Sequence, residues 1–257
     1  MEPPHEPRTA LVGGGAGGIG SATAAALLER GHRVVLAGRT AASLDAAVAA
    51  LGGGPRVDRI VCDLADPAAA AAAADDLRDE LDVLVVNTGG PPPGAVLEVC
   101  EKAWYAAFDL LVTGPLAMLR AALPAMAGRG FGRAVVITGT AVRRPQPGLA
   151  LSTVLRSATT AAAGLAAREY ADRGVTVNCV ALGATHTPRR REILESRATA
   201  LGTDVDTAAA RDEADIPAGR AADPAEIAAA VAFLASPAAG YVNGTVLTVD
   251  GGLTGTA

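Results

Sequence analysis

A glycine-rich turn between an apolar run and a helical stretch constrains this chain more than any other feature. The stretch LVGGGAGGIG begins within the predicted strand RTALVGG and leads into the helical stretch GIGSATAAALLERG, and the spacing Gly-x-Gly-x-x-Gly fits from Gly13 and again from Gly15. Such glycines let the backbone turn tightly and approach a pyrophosphate, whose charge is favoured at the N-terminus of the following helix. The sequence predicts a strand, a phosphate-binding turn and a helix; a glycine-rich turn without a nucleotide is the alternative.

The rest of the chain alternates short apolar runs with longer segments of helical pattern. The apolar runs include HRVVLAG, DVLVV, GRAVVIT, VTVNCVAL and GTVLTV. Continuous apolar strands are typical of parallel sheets covered on both faces, and this alternation is typical of βαβ units. The sequence therefore predicts an α/β fold: one Rossmann-like domain over residues 1–257, with a doubly wound parallel sheet of about seven strands flanked by helices.

Three segments of the second half have their own expected roles. Long helices are predicted at about 102–127 and 149–173, and Pro115 and Pro124 should bend or interrupt the first of them. The segment 184–222 is polar and rich in arginine, and we interpret it as a substrate lid with short helices.

Composition excludes several classes of function. A net charge of -5 and a pI near 5.2 give no nucleic-acid footprint. The acidic, proline-rich N-terminus is not a signal peptide, and we find no run of about 18 uncharged apolar residues that would predict a membrane span. Cys62, Cys100 and Cys179 are widely spaced, so we expect no metal site and interpret them as buried, reduced thiols of a cytoplasmic protein.

The end of the second strand bears on which dinucleotide is bound. An acidic residue about 20 residues after the glycines would bind the ribose 2′-hydroxyl of NAD(H). The strand instead ends in Gly38 and Arg39. A missing carboxylate with an arginine suits a 2′-phosphate, so the sequence predicts NADP(H) in preference to NAD(H). The alternative for Arg39 is a solvated surface side chain.

Several segments together resemble the short-chain dehydrogenase/reductase family over about residues 8–252. The family's Thr-Gly-x-x-x-Gly-x-Gly pattern falls on residues 13–20, with Gly13 in the threonine place. CDL is similar to the adenine-contacting turn, VVNTGG to the Asn-Asn-Ala-Gly segment and GVTVNCVALG to Val-Asn-x-Val-x-Pro-Gly. The resemblance implies cofactor contacts from Gly14, Gly17, Gly18, Ile19, Gly20, Asp63, Leu64, Asn87, Gly89, Arg156, Thr185 and Thr187.

The resemblance also identifies four catalytic places, and each holds a different residue here. The family uses a tyrosine as general acid/base, a lysine that lowers its pKa, a serine that orients the substrate and an asparagine that anchors a relay water. These places fall on Ser152, Arg156, Gly139 and Leu111, respectively. Lys102 is the only lysine in the sequence, so Tyr-x-x-x-Lys occurs in no register.

The altered residues support a narrower chemistry than the family's usual set. A serine hydroxyl is a much weaker acid than a phenol, and Arg156 is a permanent cation that cannot act as a base. Arg156 could hold a ribose hydroxyl or a substrate carboxylate. Thr140 or Thr138 is a candidate for orienting the substrate, and Ser152 for donating a hydrogen bond to it. His186 is a candidate acid/base, with an exposed loop histidine as its alternative.

Three functions remain open from the sequence. The first is an NADP(H)-dependent oxidoreductase with a non-standard active site, acting on a small carbonyl or alcohol. The second is a non-redox enzyme on this scaffold, such as an isomerase, lyase or cyclase, and the third is a non-catalytic subunit. The resemblance implies a homotetramer or homodimer that associates through the two long helices. In the run 189–191, three arginines are interpreted either as an anion-recognising group or as a solvated face.

Overall fold

The fold is built on a parallel sheet whose strand order is the doubly wound one. The structure is a computed structural model and describes residues 7–255. The sheet order within this range is β3-β2-β1-β4-β5-β6-β7, and all six pairings are parallel. The strands are β1 (Thr9–Gly13), β2 (Arg33–Gly38), β3 (Val57–Val61), β4 (Leu81–Val86), β5 (Gly132–Gly139), β6 (Val175–Leu182) and β7 (Val246–Val249). The predicted fold class is confirmed.

Helices cover both faces of this sheet. They are α1 (Gly18–Glu29), α2 (Ala41–Ala50), α3 (Pro67–Asp75), α4 (Glu101–Phe108), α5 (Gly114–Gly128), α6 (Ala150–Tyr170), α7 (Pro188–Leu201), α8 (Val205–Ala214) and α9 (Pro224–Leu234). One buried cluster packs α3, α5 and α6 on one face, and a second packs α1, α2 and α9 on the other. Residues from both clusters alternate along β1 and β4, which explains why these strands are apolar throughout.

The strand order fixes where a ligand can bind. From β1 the chain first winds outward to β2 and β3, and it then returns to place β4 on the other side of β1. A crevice opens at such a switch point, outside the carboxyl ends of the strands. The turn after β1 and the loop after β4 therefore meet at this crevice.

The first long helix is interrupted just before Pro115, one of the two prolines predicted to bend or interrupt it, whereas α5 continues through Pro124. Between α4 and α5 the chain forms a π-helical segment, Asp109–Thr113, and Pro115 lies in the first turn of α5. By length and composition Glu101–Gly128 could cross a membrane, but 56% of its most apolar window is buried within the fold. It therefore packs as a core helix of a globular domain.

The predicted lid segment contains two regular helices. Thr187 caps α7 by accepting a hydrogen bond from the Arg190 amide, and Asp204 caps α8 through the Thr207 amide. A parallel bridge between Thr185 and Ala222 closes the segment at its base. The segment is thus an excursion of the chain between β6 and α9, as the sequence predicted.

The prediction that all three cysteines are buried is wrong for Cys100. Cys62 and Cys179 are buried in the cluster that includes α3 and α6, whereas Cys100 is exposed at the N-cap of α4. All three are free thiols. The sequence placed Cys100 next to an apolar run, VLEV, but Val96 and Leu97 of that run are themselves exposed.

Candidate active site

The glycine turn after β1 is packed so closely that side chains are excluded from it. Gly14 has φ +58°, and a β-carbon there would lie 2.7 Å from the carbonyl oxygen of Asn87. A β-carbon at Gly20 would overlap the carbonyl of Gly14. The N-cap of α1 is Gly17, which offers no side chain to satisfy the first amides of the helix. The turn therefore presents free N–H groups at a helix N-terminus, the arrangement that binds phosphate.

The end of β4 forms one wall of this turn. The Asn87 Nδ2 donates a hydrogen bond to the carbonyl of Gly13 over 3.2 Å. The buried side chain of Leu64, after β3, approaches the same backbone, with its Cδ1 3.2 Å from where a β-carbon of Gly13 would lie. Predicted cofactor residues from three segments of the sequence thus meet at one point. Ile19 packs below them against the core formed with α9.

The lid forms the opposite wall. The Cγ2 of Thr187 would lie 3.1 Å from a β-carbon at Gly18, so α7 begins directly against the start of α1. Thr185 is buried, and its hydroxyl donates to the Gly183 carbonyl over 3.1 Å. The two threonines predicted to contact the cofactor therefore lie beside the glycine turn, although Thr185 has turned its hydroxyl toward its own backbone.

Arg39 and Asp63 lie at the outer end of the crevice. Arg39 follows β2 and is exposed, and it pairs with no carboxylate among residues 7–255. Asp63 is also exposed, and its Oδ1 accepts a hydrogen bond from the Ala65 amide over 3.0 Å. An exposed guanidinium without a carboxylate partner at the end of β2 has its donors free for a phosphate.

Arg156 lies under the inner end of the crevice. Its Nη1 donates to the Ile137 carbonyl of β5 over 2.8 Å, and its Nη2 donates to the Gly89 carbonyl over 3.2 Å. Burial lowers the pKa of this guanidinium to about 10, so it remains a cation at neutral pH. Ser152 lies one helical turn earlier on α6 and is half-buried. Arg156 therefore joins α6, β5 and the loop after β4.

The place of the family's asparagine lies within the π-helical segment. The carbonyl of Leu111 accepts a hydrogen bond from the Thr159 hydroxyl of α6. Leu111, Thr159, Thr138 and Arg156 line a cavity of about 10 Å³. That volume is at the lower limit for one water molecule. Leu111, the residue at the centre of the π-helical segment, is apolar and buried.

The hydroxyl groups that flank Gly139 differ in their partners. Thr138 donates to the Val180 carbonyl over 3.3 Å and is buried. The Thr140 Oγ1 accepts a hydrogen bond from Gln146 Nε2 over 3.2 Å, which leaves its own proton available. A β-carbon at Gly139 would meet only the Leu182 carbonyl, at 3.8 Å. Thr140 is therefore the better candidate for holding a substrate oxygen.

His186 and the arginine run have internal partners on the lid. His186 is exposed, and its Nδ1 lies 3.4 Å from Arg190 Nη1. Within residues 7–255 it forms no side-chain hydrogen bond with Ser152 or Arg156. The side chain of Arg190 is only 12% exposed and pairs with Asp212 and Glu213. This geometry supports neither an acid/base role for His186 nor a solvated Arg190.

Arg189 and Arg191, the other two arginines of the run 189–191, have different partners. Arg191 is exposed and pairs with Glu195 over 3.1 Å. Arg189 donates to the Pro91 carbonyl over 2.8 Å and pairs with Glu192. Sequence reasoning considered these arginines as one group and missed the Arg189 contact. It also missed Gln146, Thr159 and a groove of about 270 Å³ lined by Pro92, Pro93, Gly94, Glu98, Val99, Cys100, Ala103 and Leu151.

Comparison with known proteins identifies the family of this fold. Residues 14–254 match the family model described as enoyl-(acyl carrier protein) reductase. The chain belongs to the short-chain dehydrogenase/reductase family. It is 36% identical over 252 residues to the cis-4-hydroxycyclohexanecarboxylate dehydrogenase of Sinomonas cyclohexanicum, with 96% of each chain covered. It is 31% identical over 251 residues to the 3-oxoacyl-[acyl-carrier-protein] reductase FabG of Vibrio cholerae, covering 96% of this chain and 98% of that protein.

Solved structures of the family have the same architecture. An actinorhodin polyketide ketoreductase variant determined with NADPH superimposes with a TM-score of 0.92, 29% identity and full coverage of both chains. The L-sorbose reductase of Gluconobacter frateurii, determined with NADPH and L-sorbose, superimposes with a TM-score of 0.91, 26% identity and 98% coverage of each chain. These similarities, together with the curated relatives, establish a short-chain dehydrogenase/reductase scaffold of the oxidoreductase type.

Proposed function

We propose that this protein is an NADP(H)-dependent oxidoreductase that acts on a small carbonyl or alcohol through a non-standard active site. The observation that carries the proposal is the cradle formed by Gly14, Gly20 and Asn87, because a β-carbon at either glycine would overlap or crowd neighbouring backbone. The fit of the residues to the cofactor is good: α1 offers uncapped amides to a pyrophosphate. Structural relatives determined with NADPH add support.

The preference for NADP(H) rests on Arg39. It is exposed at the end of β2 and has no carboxylate partner among residues 7–255. An arginine fork binds phosphate by charge-assisted hydrogen bonds, and no acidic side chain follows β2 to bind a ribose 2′-hydroxyl. We therefore expect tighter binding of NADPH than of NADH.

The chain's own residues would assist reduction in two ways. The cofactor, when bound, supplies the hydride, and a proton from water must reach the substrate oxygen to complete the alcohol. Thr140 and Ser152 would donate hydrogen bonds to that oxygen. Arg156 would supply a fixed positive charge beside the substrate, and preorganised charges of this kind favour the negative charge that develops during reduction. The absence of a positioned tyrosine costs about 10²–10⁴ in rate relative to a complete general-acid site.

Association and location follow as proposals from surface features. Tyr105 and Phe108 on α4, and Val154 and Leu165 on α6, are exposed apolar side chains. An exposed apolar face is typical of a subunit interface, so we propose a homotetramer or homodimer through these helices. Free thiols suit a reducing compartment, and we propose a cytoplasmic location.

Titration of the purified protein with NADPH, NADP⁺ and NADH by calorimetry tests the proposed function. Binding of NADPH with turnover on a panel of ketones and aldehydes would support it. Binding without turnover on carbonyls or on the corresponding alcohols would favour a non-redox enzyme on this scaffold. If NADPH and NADP⁺ fail to bind at millimolar concentration, the proposal is wrong.

A further inference from the structure

Arg156 is a half-buried cation with no carboxylate partner in the part of the chain that is described. Both of its hydrogen-bond acceptors are neutral backbone carbonyls, those of Ile137 and Gly89. A guanidinium has five N–H donors, so three of them remain. A cation taken out of water is costly unless an anion or further acceptors compensate it.

Arg133 and Arg190, whose side chains are mostly buried, are compensated differently. Arg190 pairs with Asp212 and Glu213. Arg133 donates to three backbone carbonyls and lies 4.3 Å from the centre of the Phe131 ring. Arg156 has neither arrangement. The difference points to a partner that is not part of the protein.

The space beside Arg156 is open toward the crevice. A β-carbon at Gly89, which supplies one of the two acceptors, would meet nothing within 4 Å. At Gly139, two residues beyond Ile137, it would meet only one carbonyl oxygen at 3.8 Å. Ser152 precedes Arg156 by one turn of α6, and both side chains are half-buried rather than sealed in the core. The remaining donors of Arg156 are therefore not closed off from the crevice.

An arginine in this position selects a planar anion more strongly than a lysine would. The fork of N–H groups matches the two oxygens of a carboxylate, whereas an ammonium group is a point charge. We infer that the Arg156 guanidinium binds a carboxylate of the substrate, so that the substrate is a small oxo- or hydroxycarboxylate. This inference rests on the function proposed above. Thr140 and Ser152 would then hold the carbonyl or hydroxyl oxygen of the same molecule.

The alternative is that Arg156 only holds the cofactor ribose, and matched ligands distinguish the two. The probes are α-, β- and γ-oxocarboxylates, each compared with its own methyl ester, titrated by calorimetry into the protein saturated with NADP⁺, which cannot reduce them. We expect at least one acid to bind about 10- to 100-fold more tightly than its ester, as a charge-assisted pair requires. Arg156→Gln should abolish this preference, and Arg156→Lys should keep a reduced preference. Arg168→Gln, on the exposed part of α6, is the matched control and should leave it unchanged.

The outcomes separate this inference from the function on which it rests. Equal affinity for acids and esters in the wild-type protein overturns the inference. So does an Arg156→Gln variant that is folded by circular dichroism, weakens NADPH binding and retains the preference. If NADPH itself fails to bind, the proposed function fails, and the same acid and ester titrations without cofactor decide whether the carboxylate site exists. If Arg156→Gln does not fold, the Arg156→Lys variant and the wild-type comparison still decide the question.

Discussion

The Arg189 guanidinium, in the first turn of α7, donates a hydrogen bond over 2.8 Å to the Pro91 carbonyl in the loop after β4. That loop is also held from below, because Arg156 donates to the Gly89 carbonyl. Two arginines from different helices thus fix three consecutive residues at the mouth of the crevice. Arg189 lies on α7 in the predicted lid segment and Arg156 lies on α6, so this loop connects the two helices.

Removing the lid contact should shorten the residence of the cofactor. Arg189→Ala breaks the hydrogen bond to Pro91, which is worth about 1 kcal/mol. We therefore expect NADPH to dissociate about five times faster, as measured by stopped-flow fluorescence. Arg191→Ala is the control, since Arg191 is exposed and pairs only with Glu195 on its own helix. Equal dissociation rates for Arg189→Ala and the wild type would show that the contact does not hold the crevice closed.

The glycine turn offers a test that separates backbone strain from loss of the cradle. Gly14→Ala introduces a β-carbon 2.7 Å from the Asn87 carbonyl at a left-handed φ. It should lower the free energy of unfolding and abolish NADPH binding. Gly31→Ala has a similar positive φ but meets nothing within 4 Å, so it should cost only about 1–2 kcal/mol and leave binding intact. Urea unfolding and calorimetry measure the two effects. Normal NADPH affinity in Gly14→Ala would contradict the assigned role of the turn.

Cofactor preference should depend on Arg39. Arg39→Ala removes the only basic side chain that directly follows β2, so NADPH affinity should fall about 10- to 100-fold while NADH affinity stays within about twofold. Arg30→Ala, at the exposed C-terminus of α1, should change neither. The ratio of the two dissociation constants is the measured quantity. A ratio that Arg39→Ala leaves unaltered would mean that the side chain is merely solvated.

The sequence predicted the fold well because its information is local and repeated. A continuous apolar run in the sequence indicates a parallel strand that is buried on both faces. A glycine after a helical stretch marks the C-terminus of that helix, and an Asp-Pro pair marks the N-terminus of the next one. Asp66, for example, caps α3 through two amides as its position before Pro67 predicts. The π-helical segment escaped prediction because Pro115 indicates a break but not the backbone form that accommodates it.

The close packing of the glycine turn against the end of β4 could be predicted from the sequence, whereas the polar contacts around Arg156 and Thr140 could not; that the turn binds a cofactor stays a prediction. Gly14 is required because the backbone of the turn approaches Asn87 too closely for a side chain. The glycine spacing in the sequence therefore indicates where this close approach occurs. The partner of Gln146 is six residues away, and the acceptor of Arg189 is 98 residues away. Such contacts depend on how loops pack across the crevice. Cys100 was misplaced for the same reason, since only the packing of the loop before α4 exposes it.

The buried thiol of Cys179 makes stability depend on alkaline pH. Desolvation by burial raises its pKa from 9.0 to about 11. The unfolded thiol releases its proton near pH 9 while the folded one keeps it, so this contribution is fully present below pH 9. This contribution is lost as pH rises from 9 to 11, and at pH 11 the decrease in the free energy of unfolding is about 2 kcal/mol. Urea unfolding between pH 8 and 11 should show a smaller decline for Cys179→Ala than for the wild type. Cys100→Ala, at an exposed thiol, should follow the wild type; parallel curves for all three would refute the assignment.

Placing the family's usual residues at the positions that the resemblance assigns to them tests whether the crevice is a reductase pocket. Gly139→Ser should be tolerated, because a β-carbon there has only one neighbour, at 3.8 Å. Ser152→Tyr places a phenol one helical turn before residue 156, and Arg156→Lys replaces a cation tied to two carbonyls with one free to lower the tyrosine pKa. We expect the triple variant to reduce simple neutral ketones about 10²–10⁴ times faster than the wild type, measured by NADPH oxidation. Ser152→Phe in the same background places a ring there without a hydroxyl and is the control. A gain shared by both variants would mean that packing, not proton donation, had been repaired. A folded triple variant that binds NADPH but shows no gain would mean that the crevice no longer presents a ketone to the nicotinamide.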